Sequence, residues 1–417
     1  MTSRFGVSTV AAIVVTLAGL SSAAAQSRAS VPAALPVATD VRVAGDDKET
    51  RLIMDVTRTF GIRAFTLADP YRVVVDIPQT VFQLPPASGE TGRGLVKAYR
   101  FGLVMAGGSR IVIDVTKPVR IESAAMLESK DGQPARLVLD LSATDRESFM
   151  RKLALDRTAM RDSENSKVPL PAAKPSGDLR PLVVIDPGHG GPDTGTKAGG
   201  GEIMEKNVVL DFSIALRDQL EKSGRYRVVM TRTDDTFIPL AERVKFARSR
   251  QAQLFISIHA DALPKSEGDV QGATVYTLSE TASDAEAAKL AEAENRSDVI
   301  AGIDLTKEPD DVADILFDLA HRETKTFSHA FARVLVGEMK SAMRLHRKPL
   351  KAAGFVVLKA PDVPSVLVEL GYMTNRSDLK LLTSEAWRAK AAANMALAVE
   401  QFFRTRLAGT EAGAGRR

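Results

Sequence analysis

The chain reads as an α/β domain, with a mixed, mostly parallel sheet flanked by helices, preceded by a small all-β domain. Three observations point there. From Pro181 onward, short apolar runs alternate with helical patterns, the rhythm of a sheet sandwiched between helices. Two of those runs, Val183-Val184-Ile185 and Leu254-Phe255-Ile256-Ser257-Ile258, end in turn-formers and a histidine: Asp186-Pro187-Gly188-His189 and His259-Ala260-Asp261. Short, β-branched and without alternation, they read as buried parallel strands. Ahead of Pro181, one hexapeptide recurs four times with no helical rhythm between its copies.

Taken from the start, Arg4 precedes the apolar stretch Val10–Leu20, and Ala23-Ala24-Ala25 supplies small residues before Gln26. This predicts a secretory signal peptide over residues 1–25. Cleavage after Ala25 removes one basic residue and takes the net charge from +4 to +3. No later stretch is apolar and long enough to cross a bilayer, so the mature chain is expected to be soluble outside the cytoplasm. Near-balanced charge leaves no footprint for nucleic acid. The chain has no cysteine, which suits an oxidising compartment and removes every thiolate ligand and nucleophile. Any metal must be held by His, Asp, Glu or backbone oxygen, as in catalytic rather than structural zinc sites.

The repeats are Arg51-Leu52-Ile53-Met54-Asp55-Val56, Arg72-Val73-Val74-Val75-Asp76-Ile77, Arg110-Ile111-Val112-Ile113-Asp114-Val115 and Arg136-Leu137-Val138-Leu139-Asp140-Leu141. Each reads as a strand. Two lie on either side of Pro85-Pro86, so residues 38–145 form an internally duplicated β domain. Its arginines and aspartates are expected to pair across strands. Residues 146–180 are polar and proline-spaced, an extended interdomain linker.

In the α/β domain, residues 181–407, strands are expected at 182–185, 227–230, 254–258, 272–278, 354–358 and 365–369. Helices are expected at about 204–222, 239–250, 282–296, 310–345 and 384–405. In the longest, Val312, Ile315, Leu316 and Leu319 form an apolar stripe. Residues 408–417 read as a disordered tail.

The chemistry gathers where these strands end, the usual ligand side of an open α/β sheet. His189 and His259 supply two imidazoles. Glu205 opens a helix just after the glycine-rich stretch Gly195–Gly201, a loop able to fold its carboxylate back toward them. Glu369 ends the last strand among apolar neighbours, and burial there raises its pKa, as a general base that also returns a proton requires. A catalytic zinc site needs three protein ligands and an open position. Asp186, Asp193 and Asp261 are candidates to orient the histidines by hydrogen bonds.

Asp186-Pro187-Gly188-His189-Gly190-Gly191, Glu205-Lys206, Ser257-Ile258-His259-Ala260-Asp261 and Glu369-Leu370-Gly371-Tyr372-Met373-Thr374-Asn375 together resemble the motif series of the zinc-dependent N-acetylmuramoyl-L-alanine amidases. The duplicated β domain resembles the AMIN domain, which in such enzymes targets the envelope by binding peptidoglycan. The whole arrangement is similar to periplasmic amidases of Gram-negative cell separation. The resemblance implies hydrolysis of the amide between N-acetylmuramic acid and L-alanine. It implies one zinc ion on His189, Glu205 and His259, with Glu369 as catalytic acid/base. A different zinc hydrolase of peptidoglycan, peptidase or deacetylase, and a non-catalytic wall-binding scaffold are the alternatives.

An acidic insert, roughly residues 280–318, has two readings: a solvated helical face, or a plug. In autoinhibited relatives a helix here fills the cleft, with a glutamate at the metal's open position. Glu294 is the candidate, and a LytM-type activator is the implied partner, acting on a monomer. His321, His329 and His346 are expected to be structural or exposed. Arg344, Arg347 and Lys348 are candidate contacts for anionic wall polymer.

Overall fold

The computed structural model describes residues 35–104, 107–154, 178–262, 270–303 and 316–414, with side chains at 316–321 and 406–414 outside the description. The expected signal peptide, most of the linker, the insert from Asp304 and the side chains of the stripe from Val312 to Leu319 therefore lie outside what is described.

The β domain is two sheets. One has the order β5-β1-β2-β9-β8, built from Val37–Gly45, Glu49–Val56, Val81–Phe82, Val119–Leu127 and Ala135–Ala143. In the other, β3 (Arg63–Leu67), β4 (Arg72–Pro78), β7 (Gly108–Val115) and β6 (Val96–Val104) are joined at the edge by β14 (Thr236–Phe237) of the α/β half. The four repeats fall on β2, β4, β7 and β9 and pair as two antiparallel couples. Arg51 faces Asp140 and Asp55 faces Arg136, while Arg72 faces Asp114 and Asp76 faces Arg110. Alternate residues Leu52, Met54, Val73, Val75, Ile111, Ile113, Leu137 and Leu139 point inward to one core. This is the period-2 pattern of a half-buried strand.

The linker expectation needs correcting at its start, because residues 146–154 are helical. Phe149 and Leu153 are buried, and Phe149 meets Tyr71 edge to face. Apolar residues spaced four apart outweighed the polar composition read there.

The α/β half is a six-stranded sheet, order β13-β10-β15-β18-β16-β17. Its strands are Leu182–Pro187 (β10), Arg227–Met230 (β13), Leu254–His259 (β15), Ala273–Leu278 (β16), Leu345–Ala353 (β17) and Ser365–Glu369 (β18). All pairs are parallel except β16 with β18. One face carries Val183, Ile185, Ile256, Ile258, Val366 and Val368 against helices α1 (Glu205–Lys222), α5 (Leu316–Met339) and α7 (Glu385–Ala414). The other carries Val184, Phe255, Tyr276 and Leu367 against α2 (Leu240–Ser249) and α3 (Ala285–Asn295). A four-residue helix α4 (Ser297–Ile300) follows α3, and α6 (Arg376–Leu382) precedes α7. Among the described residues no helix is long and apolar enough to cross a membrane.

Two elements differ from expectation at the sheet edge. The strand expected at 354–358 is a 3-10 turn over Val356–Leu358, and the edge strand is β17, earlier in sequence. The expected helix 310–345 ends at Met339. β17 is the polar run Leu345-His346-Arg347-Lys348-Pro349-Leu350-Lys351-Ala352-Ala353. Its charges and proline hide a strand from pattern reading and suit an unpaired edge. The chain's last helix continues to Ala414 rather than giving way to a disordered tail after Leu407; its alanine-rich sequence favours that continuation.

Candidate active site

Three adjacent strands present their carboxyl ends side by side. His259 ends β15 in register with Glu369 at the end of β18, and β10 on the other side runs into the turn carrying His189. The turn is held from within. Buried Asp186 accepts from Thr231 (2.6 Å), Ser257 (2.7 Å) and Arg243 (2.8 Å). Arg243 also donates to the carbonyls of Pro187 and His189, and Arg232 to those of Pro187, Gly188 and Lys206. This web keeps His189 at φ 60°, a left-handed conformation uncommon outside glycine and costly unless the surroundings impose it.

Glu205 lies beside both histidines. A two-stranded hairpin, β11 (Lys197–Ala198) with β12 (Ile203–Met204), folds the glycine-rich loop back to the start of α1. The carboxylate accepts from the Ala260 N–H (2.8 Å) and the Thr196 N–H (2.9 Å). Its Oε1 lies 3.1 Å from His189 Nε2 and 3.5 Å from His259 Nδ1. Glu294, from α3, completes the group: its carboxylate is 3.0 Å from His259 Nδ1 and 3.8 Å from His189 Nε2. His189, His259 and Glu294 form a buried cluster with ligand atoms close enough to hold one metal ion, and Glu205 lies against both imidazoles.

Of the three candidate orienting aspartates, Asp193 meets a histidine, 2.9 Å from His189 Nδ1. This leaves Nε2 toward the cluster. Asp186 instead organises the turn, and Asp261 accepts from the Thr196 hydroxyl (2.7 Å) and its neighbour's N–H.

Acids outnumber bases here. Burial pushes the imidazole pKa values down, yet Glu205, Asp193 and Glu294 hold His189 well above its ordinary range, and Glu294 and Glu205 bring His259 to about 10. Burial raises Glu205, but the histidines beside it hold it well below the carboxylate range. Asp261 is pushed up to about 7 by burial and by Glu205 and Glu294. Glu369, fully buried, is raised well above its usual value by burial, despite His259 nearby. Its Oε2 accepts from the Asp261 N–H at 3.0 Å. Within the described residues His189 Nε2, His259 Nδ1 and Glu369 Oε1 have no hydrogen-bond partner. Unpartnered buried nitrogens ringed by carboxylates fit a divalent cation, which satisfies what a neutral side chain cannot.

The insert is packed into the cleft. Ala287, Leu290, Ala291 and Glu294 are the buried face of α3, against Phe355, Leu358 and Leu367. The solvated-face alternative does not describe this helix. Asn295 donates to the Gly354 carbonyl and accepts from the Val356 N–H. Ser297 donates to Asp193, the carboxylate that holds His189.

Sequence reasoning missed Ser297, Arg232 and Arg243; a serine and two arginines among helical and loop residues carry no local signal for such contacts. His346 is buried, with Nδ1 bound to its own strand's backbone, and His329 is exposed, its Nδ1 3.4 Å from the Thr277 hydroxyl. The side chain of His321 is outside the description.

Residues 183–401 match the N-acetylmuramoyl-L-alanine amidase family and residues 40–141 the AMIN domain. The chain is 33% identical to N-acetylmuramoyl-L-alanine amidase AmiC of Neisseria meningitidis serogroup B over 384 residues, 89% of this chain and 91% of that one. Against AmiC of Escherichia coli O6:H1 it is 33% identical over 375 residues, covering 87% and 88%. Among solved structures, AmiC2 of Nostoc punctiforme aligns over 55% of this chain and 99% of its own, at 28% identity and a TM-score of 0.41. The chain belongs to the N-acetylmuramoyl-L-alanine amidase family: it is a peptidoglycan hydrolase with an N-terminal AMIN domain.

Proposed function

We propose that this amidase is a latent, zinc-dependent enzyme of the periplasm that cuts the bond between N-acetylmuramic acid and L-alanine during daughter-cell separation. The observation that carries the reading is the buried convergence of His189, Glu205, His259 and Glu294, with unpartnered imidazole nitrogens facing the acids. His189, Glu205 and His259 are the proposed ligands, and Glu294 stands in the place of water and substrate. A zinc ion held by these residues would lower the pKa of a bound water and polarise the scissile carbonyl.

The protein's own groups do the rest. Asp193 fixes the ring of His189, and the two N–H donors on Glu205 fix its carboxylate. Glu369 takes the proton of the attacking water on its unpartnered Oε1 and returns it to the departing alanine nitrogen. Burial suits it to both acts, since a raised pKa brings its acid and base forms closer in free energy near neutral pH.

Latency follows from α3, which excludes both water and wall polymer from the cleft. A LytM-type activator that draws it away, acting on a monomeric amidase, is the proposed partner. The test is digestion of purified peptidoglycan by the full chain and by Glu294→Ala, Glu369→Gln and a Glu294→Ala/Glu369→Gln double variant, followed by mass spectrometry and metal analysis. Glu294→Ala should release intact stem peptides without a partner. Adding Glu369→Gln should keep zinc and lower turnover by about 10²–10⁴-fold. A wild type fully active alone, unchanged by Glu294→Ala, would reject latency. A fully active double variant would reject the role of Glu369.

A further inference from the structure

The segment that plugs the cleft does not end there. α4 continues it toward the β domain and ends in carbonyls that reach past the helix; that of Val299 also accepts from the Gly302 N–H. Guanidinium groups of the β domain meet them. Arg72 donates to the Val299 carbonyl, Arg100 to Ile300 at 2.5 Å, and Arg110 to Gly302 at 2.8 Å. Cations are favourable at this end of a helix, where the backbone carries partial negative charge.

Apolar packing backs the polar contacts. Val74 and Val112 sit opposite one another on β4 and β7 and point away from the β-domain core, yet both are wholly buried. Gly302 covers them: at φ +70° it comes so close that a Cβ there would lie 3.0 Å from a methyl of each. Ala301 is fully buried with Val104 and Phe237, where β14 pairs with β6. Among the described residues, the matching couple on the other sheet, β2 and β9, has no such occupant in its hydrogen bonds. Arg51 there pairs with Asp140, and Arg136 with Asp55 and Gln133.

We propose that the outer face of β4, β7 and β6 is a docking surface for residues 299–302, so that the β domain clasps the plug and helps hold Glu294 over the metal cluster. This rests on the latency reading above. A domain taken as a wall-targeting module is then also half of the latch: the α3–α4 segment is held by the cluster through Glu294 and, a few residues further on, by three arginines.

The experiment uses the full chain and two readouts, amide hydrogen exchange of residues 285–302 and activator-free release of dye from labelled peptidoglycan. Arg100→Ala/Arg110→Ala removes two clasping groups. Gly302→Val attacks the same contact from the other side. Arg51→Ala/Arg136→Ala breaks equivalent arginine–aspartate pairs without touching the segment. The first two should raise exchange at 297–302 and dye release by about tenfold each, given the strength of charge-assisted hydrogen bonds; the third should change neither. Unchanged exchange in both clasp variants overturns the clasp, even if Glu294→Ala activates the enzyme. If Glu294→Ala leaves release unchanged, latency falls, and exchange alone decides whether the clasp exists.

Discussion

In the β domain guanidinium meets carboxylate nearly one for one: Arg51 with Asp140, Arg136 with Asp55, Arg110 with Asp76, Arg100 with Asp114. In the cleft two imidazoles face Glu205, Glu294 and Asp193, with Glu369 and Asp261 close by. The first arrangement balances its charges within the domain, and its members keep contact with water. The second is buried and carries an excess of acid that its own histidines do not neutralise. Balanced pairs hold strands in register, whereas an unbalanced buried group marks the place where a cation and chemistry belong.

The comparison breaks most readily at His189. His189→Ala should lose the metal, read by elemental analysis, and cut peptidoglycan turnover by roughly 10³-fold or more. Full metal retention would mean that the acid excess serves something other than a cation. A smaller effect is expected at Asp193, which touches the ring but not the cluster. Asp193→Ala should weaken metal binding by about 10–100-fold in a chelator competition, leaving the folded chain intact. The smallest belongs to the β domain, where Arg51 is more than half exposed. Arg51→Ala should cost under about 1 kcal/mol in denaturant unfolding. A loss of several kcal/mol there would show that these pairs carry strain or burial of their own, and the contrast with the cleft would narrow.

Much of the site was legible because its parts sit at recognisable joints. His189 comes shortly after one mainly apolar run, His259 closes a second and Glu369 a third, so each falls at the ligand side of the sheet. Glu205 was legible because a glycine-rich loop leads into its helix. Three features were not. β17 was hidden because an edge strand can be charged and proline-bearing. The choice of Asp193 over Asp186 and Asp261 depended on which carboxylate the turn aims at the ring. Arg232 and Arg243 gather carbonyls from residues far away in sequence.

The repeated hexapeptide marks the same limit more sharply. Local pattern was enough to read four strands, their inward residues and the pairing of arginine with aspartate, because alternation and charge spacing are properties of neighbours along the chain. That copies two and three grip the end of α4 while one and four do not was invisible, since all four carry the same arginine. The difference arises from which outer face the catalytic half covers, and that depends on contacts between residues some two hundred positions apart.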